Sequence, residues 1–107
     1  MTGNEYQDLA KRTMNLDIEH SQMTINALLG LSGEVGEIND AFKKHLFQGH
    51  QLVVDHIKEE LGDVMWYIAL MCEALYLNLD DVMHDNIEKL KKRYPDGFSV
   101  ERSINRG

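Results

Sequence analysis

The sequence predicts an all-α fold, a four-helix bundle formed by a single domain over residues 1–107. Three observations carry that reading. Pro95 is the sole proline, so none precedes it to break a helix. Apolar residues recur at three- and four-residue steps through most of the chain instead of alternating as in strands. The glycines stand either between 30 and 36 or, for the most part, where a helix would end.

Thr2 followed by Glu5 has the spacing of a capping box and opens a first helix over roughly residues 3 to 15. A second helix runs from about 20 to 48, with Leu28, Leu31, Val35, Ile38, Phe42 and Leu46 forming one apolar stripe and Gly49 ending it. Gly30, Gly33 and Gly36 each weaken such a helix by about 1 kcal/mol relative to alanine. Their presence implies either close approach of another group or a break near Gly30. The third helix, about 52 to 77, keeps the helical step at Ile57, Leu61, Val64, Ile68, Cys72 and Leu75 and is expected to be central. Asp80 is the expected cap of a fourth helix that buries Met83, Ile87, Leu90 and Tyr94 before Pro95 stops it. From Asp96 onward the polar tail shows no pattern of regular structure.

Composition narrows the classes of function. A net charge of −7, from 18 acidic against 11 basic residues, opposes binding to a nucleic-acid backbone. Cys72 is alone, so an intrachain disulfide or multi-cysteine zinc site is excluded, and it reads as a small apolar helix residue. No signal-peptide pattern and no apolar run near the ~20 residues needed to span a bilayer is present, which leaves a cytoplasmic protein without a membrane partner as the expectation.

Two acidic pairs carry the chemistry. Glu34 and Glu37 share a face of the second helix, and Glu60 and Asp63 share a face of the third. Antiparallel packing would unite four carboxylates, a charge tolerable only with protonation or a bound cation. An all-oxygen set suits Mg²⁺ or Mn²⁺ rather than zinc or copper. Either pair alone would be ordinary surface decoration, but small residues surround both: Gly30, Ser32, Gly33 and Gly36 beside one, Gly62 within the other. A dinuclear iron bundle would use Glu-x-x-His pairs, and none occurs. His20, His45, His50, His56 and His84 read as surface histidines.

On the fourth helix Asn86, Lys89 and Arg93 form a polar, basic stripe suited to phosphate oxygens, although a solvated helix face would also show one. Tyr67 lies one turn beyond Asp63, where its ring would stack on a base or pack in the core. Trp66 reads as packing or an oligomer contact. Because Trp66, Tyr67, Leu70 and Tyr76 lie on more than one side of the third helix, a lone bundle would leave apolar surface wet, so a homodimer or homotetramer is expected.

The segments Gly30-Leu-Ser-Gly-Glu-Val-Gly-Glu37, Glu59-Glu-Leu-Gly-Asp63 and Asn86-Ile-Glu-Lys-Leu-Lys-Lys-Arg-Tyr-Pro-Asp-Gly-Phe98 together resemble the MazG-like all-α nucleotide pyrophosphohydrolases. The opening segment Glu5 to Thr13 is similar to the first helix of compact, phage-type members. The resemblance implies a four-helix module related to dCTP pyrophosphatases, dimeric dUTPases and phosphoribosyl-ATP pyrophosphohydrolase. It implies Mg²⁺ on Glu34, Glu37, Glu60 and Asp63, phosphate on Asn86, Lys89 and Arg93, and a nucleoside beside Tyr67. Two departures stand out. Gly33 occupies a position where many MazG proteins carry a further glutamate, and Lys44 stands where dCTP pyrophosphatases place a tryptophan. The expected activity is cleavage of an NTP or dNTP to its monophosphate and pyrophosphate, with Glu37, or else Glu34, directing the water. A non-catalytic nucleotide- or metal-binding regulatory bundle is the alternative.

Overall fold

A computed structural model describes residues 1–105 and is helical throughout its regular structure, with no strand among them. Helix α1 spans Gly3–Ala10 and α2 His20–Phe47, while α3 spans Val54–Ala74, α4 Leu79–Arg93 and α5 Val100–Ile104. The Thr2 hydroxyl accepts from the Glu5 amide at 3.0 Å, so the cap is as expected. α1 is shorter than predicted: its last turn tightens into a 3₁₀ helix over Lys11–Thr13.

Helix α2 is continuous through its three glycines, and the reason for one of them is visible. A methyl group at Gly30 would overlap the ring of Tyr67 on α3, whereas Gly33 and Gly36 face open space. After α2, the positive φ of Gly49 (+72°) turns the chain while His50 donates to the Lys44 carbonyl at 3.1 Å. α3 returns antiparallel, so that His20 near the start of α2 reaches the Ala74 carbonyl, 3.2 Å away, at the end of α3.

α3 stops three residues before the predicted end. Leu77 donates back to the Cys72 carbonyl at 2.8 Å and Tyr76 to that of Glu73 at 3.4 Å, the pairing of a Schellman cap. Its left-handed position is held by Tyr76 (φ 58°) instead of the usual glycine, and the ring stacks on His20 at 4.5 Å. The start of α4 also differs. Asn78 occupies the cap position, and Asp80 works across the fold: its carboxylate accepts from the Asn4 amide at 3.2 Å, while the Asn4 side chain accepts from the Asp80 amide at 3.1 Å. Buried Gln7 completes this joint, donating to Glu73 (2.8 Å) and the Leu77 carbonyl (3.0 Å) and accepting from the Leu79 amide (2.8 Å). Every polar atom of its amide is thereby engaged in a place where an unmet one would be costly.

The core gathers where α1 lies over the start of α2 and the end of α3: Ala10, Met14, Met23, Ala27, Ala69, Leu70 and Ala74, flanked by Tyr6, Ile18, Trp66, Tyr67 and Met71. Its three α2/α3 alanines permit close helix approach. The expected stripe of α2 is rotated relative to this core. Leu31 and Ile38 are half-buried, but Leu28 (52% exposed), Val35, Phe42 and Leu46 face solvent. α4 corrects its expectation more strongly, because Ile87 (50% exposed) and Leu90 face solvent and Met83 is covered only where it meets Gly3 of α1. The start of α4 docks on α1 through buried Leu79, with Asp80 and the end of the Met83 side chain beside Gly3. The radius of gyration is accordingly 17.0 Å, against about 13 Å for a compact chain of this length. The C-terminal segment also departs from the expected unstructured tail: Ser99 caps α5, its Oγ accepting from the Arg102 amide at 3.3 Å.

Candidate functional site

Below the alanine-rich core, the facing surfaces of α2 and α3 turn acidic. Glu34, Glu37 and Glu60 each offer a carboxylate oxygen within 4.8 Å of the others. The i,i+3 spacing on α2 puts Glu34 and Glu37 on one face, and the antiparallel return brings Glu60 opposite them. The contact of Gly30 with Tyr67 sets the separation of the helices, one turn from Glu34 along α2 and two turns from Glu60 along α3. Burial is graded across the cluster: Glu60 is 7% exposed, Glu34 is half-buried and Glu37 opens to solvent.

Oε2 of Glu34 and Oε2 of Glu60 are both buried without a hydrogen-bond partner. Buried acceptors of this kind are costly, and only a proton shared within the cluster or a bound cation can satisfy them. Without a cation, Glu60 holds its proton to higher pH than an ordinary glutamate. The hydrogen bond to Glu34, followed by desolvation and then by hydrogen bonding to Glu37 and repulsion from both carboxylates, pushes Glu60 up to about 7. Oxygen donors converging on a point of unrelieved negative charge fit a hard divalent cation.

Asp63 is not part of the close group. It is exposed on α3 and lies near Tyr6, whose hydroxyl pKa is raised by burial first and by the Asp63 charge second. Tyr67 packs against Gly30 and meets Trp66 edge-on at 5.1 Å and 89°. The Trp66 indole donates to the Thr13 hydroxyl at 2.8 Å, which ties α3 to the turn after α1. Asn86 is exposed on α4, and Lys89 and Arg93 line a cleft with α5 that includes none of the acidic cluster.

His56 is exposed, as expected of a surface histidine, and its Nε2 also lies 3.6 Å from Glu60 Oε1. The signal was its position four residues before Glu60 on the same helix face. Both His56 and Glu37 line an open cleft of about 730 Å³ beside the cluster, with Lys44 and His50 from the end of α2 and its following loop. Lys44 is tied to Asp40 at 2.9 Å, and that hydrogen bond holds the Asp40 carboxyl below its ordinary value. An anionic or polar ligand entering this cleft would meet Glu37 first, because Glu34 and Glu60 lie deeper.

A model of the MazG nucleotide pyrophosphohydrolase domain matches residues 22–98, a span containing the whole acidic cluster, Lys89 and Arg93. The chain is also similar to the Gene 37 protein of Mycobacterium phage L5, at 38% identity over 82 residues, covering 73% of this chain and 72% of the phage protein. No solved structure matches.

Proposed function

This chain belongs to the MazG nucleotide pyrophosphohydrolase family, and we propose that it hydrolyses an NTP or dNTP between its α and β phosphates, releasing the monophosphate and pyrophosphate. One observation carries the assignment to this site: three converging carboxylates, two with buried oxygens that lack a partner. Glu34, Glu37 and Glu60 would hold Mg²⁺, or Mn²⁺ in its place, with Asp63 one turn from Glu60 as the fourth member of the set. When bound, the ion supplies charge neutralisation and polarisation of phosphate oxygens.

Glu37 is the water partner because it alone of the three opens to solvent and borders the adjoining cleft. Its carboxylate orients the water and accepts a proton as the water oxygen bonds to phosphorus and the α–β anhydride breaks; Glu34 is the substitute for that role. Lys89, Arg93 and Asn86 supply donors and positive charge to the polyphosphate. Tyr67 stands at the edge of the nucleoside position while bracing α2 against α3. The whole chain acts as one cytoplasmic domain, and uncovered apolar residues on α2, α3 and α4 support a homodimer or homotetramer.

The deciding experiment incubates a panel of NTPs and dNTPs with Mg²⁺ and resolves the products. Pyrophosphate with a monophosphate is expected. Orthophosphate with a diphosphate would reject the bond assignment, and metal-dependent binding without turnover would establish the regulatory alternative.

A further inference from the structure

The segment after Pro95 folds back toward α4. Gly97 donates to the Tyr94 carbonyl at 3.1 Å, and the rings of Tyr94 and Phe98 meet at 5.7 Å. α5 then closes a cleft of about 660 Å³ against the last turns of α4. Lys89, Lys92, Arg93 and Arg102 supply its charge, against the single carboxylate of Glu101. The chain around this concentration of cations carries a net charge of −7. Among the described residues none of the four is in an ion pair, whereas neighbouring Lys91 is held by Glu88 at 3.3 Å and does not line the cleft.

We propose that this cleft binds a polyphosphate anion and that the C-terminal segment, through Arg102 and Ser99, forms one wall of the site. Four neighbouring cations repel one another until an anion with several charges joins them. Two guanidinium groups offer planar pairs of donors that match phosphate oxygens. The Ser99 Oγ already accepts from the Arg102 amide, so its own proton is free to donate into the cleft. No aromatic residue lines the space, which argues for a phosphate chain and against stacked bases of single-stranded nucleic acid. Ser99 and Arg102 lie beyond the span of the family match, which ends at 98.

The anion has two sources, the triphosphate of a nucleotide substrate or free inorganic polyphosphate. The first rests on the hydrolase reading above, while the second does not. Calorimetry with inorganic tripolyphosphate in metal-free buffer tests the cleft directly, using the whole protein, Arg102→Gln, Lys92→Gln, Arg102→Lys and Glu60→Gln. Binding is expected for the wild type and Glu60→Gln, with affinity about tenfold lower in Arg102→Gln, roughly the loss of one charge-assisted hydrogen bond. Lysine at 102 should recover part of it, and helix content by circular dichroism should be the same in all variants.

A parallel rise in KM for the nucleotide in Arg102→Gln assigns the cleft to the substrate's phosphates. An unchanged KM, with the tripolyphosphate defect retained, assigns it to inorganic polyphosphate. If no nucleotide is hydrolysed but Arg102-dependent binding remains, the hydrolase reading fails and the cleft stands. Equal tripolyphosphate affinity in wild type, Lys92→Gln and Arg102→Gln would overturn the proposal, as would tighter binding of a single-stranded oligonucleotide than of tripolyphosphate.

Discussion

Replacing Gly30 with alanine sets two opposing effects against each other. Alanine favours the interior of α2 by about 1 kcal/mol over glycine. The new methyl, however, would fall on the ring of Tyr67, and overpacking costs typically about 1–3 kcal/mol. The ring is poorly placed to yield, because it abuts Trp66 and the Trp66 indole is anchored on Thr13. The penalty is therefore expected near the upper end of that range, for a net loss of about 2 kcal/mol, or roughly 10 °C in Tm for a chain of this size. Thermal denaturation followed by circular dichroism, at fixed protein concentration without divalent metal, measures it. In a Tyr67→Ala background the sign should reverse, leaving Gly30→Ala stabilising by about 1 kcal/mol from propensity alone. Gly33→Ala, which meets nothing, should show the same gain in the native background. Since the Gly30–Tyr67 contact spaces the helices that present Glu34 and Glu60, Gly30→Ala should also reduce the rise in Tm caused by Mg²⁺. Wild-type stability in Gly30→Ala, or the same loss with and without the Tyr67 ring, would refute the reasoning.

Metal-free stability should fall as pH rises from about 4.5 to about 7 and then level, because Glu60 keeps its proton to higher pH folded than unfolded. Denaturant titrations across that window, with Glu60→Gln expected to flatten the Glu60-dependent part of the slope, check the sign. Glu60→Gln should also lower kcat with Mg²⁺ by at least about 100-fold, since loss of a mere outer-shell partner of a metal ligand already costs up to about that much, while the metal-free variant at pH above 7 is more stable than wild type; steady-state kinetics and thermal scans read the two effects. The uncovered residues of α2 and α4 predict self-association, so light scattering should give at least a dimer, and Ile87→Lys should shift the population toward monomer if α4 is in the contact.

Helix existence was legible because periodicity and the scarcity of proline are local properties. Helix ends were legible only where the usual residue performs the usual task, as at Thr2 and Gly49. Tyr76 in a left-handed cap position offers no compositional signal, and its ring stacking on His20 is a tertiary compensation. The exchange of Asp80 from capping its own helix to joining Asn4 is likewise a contact between residues far apart in the chain. The site divides in the same way. Spacing placed Glu34 with Glu37 and the antiparallel return added Glu60, but His56 became visible only once Glu60 was known to be buried at the cluster.

Periodicity identifies a stripe without saying what will cover it. α2 illustrates the consequence, since Met23, Ala27 and Glu34 lie toward α3 while Leu28, Val35 and Phe42 from the predicted stripe remain exposed. A helix with one packed and one uncovered apolar face appears in sequence as a single broad hydrophobic pattern. On α4 the pattern is sharp, yet Ile87 and Leu90 stay largely exposed and Met83 meets only Gly3 of α1. These residues are costly to leave in water, whereas burial of each large side chain is worth about 1.5 to 3 kcal/mol. In the proposed oligomer the same amphipathic spacing would serve two levels of organisation: small residues let α2 and α3 approach within the chain, and the exposed larger residues of α2 and α4 would meet another copy.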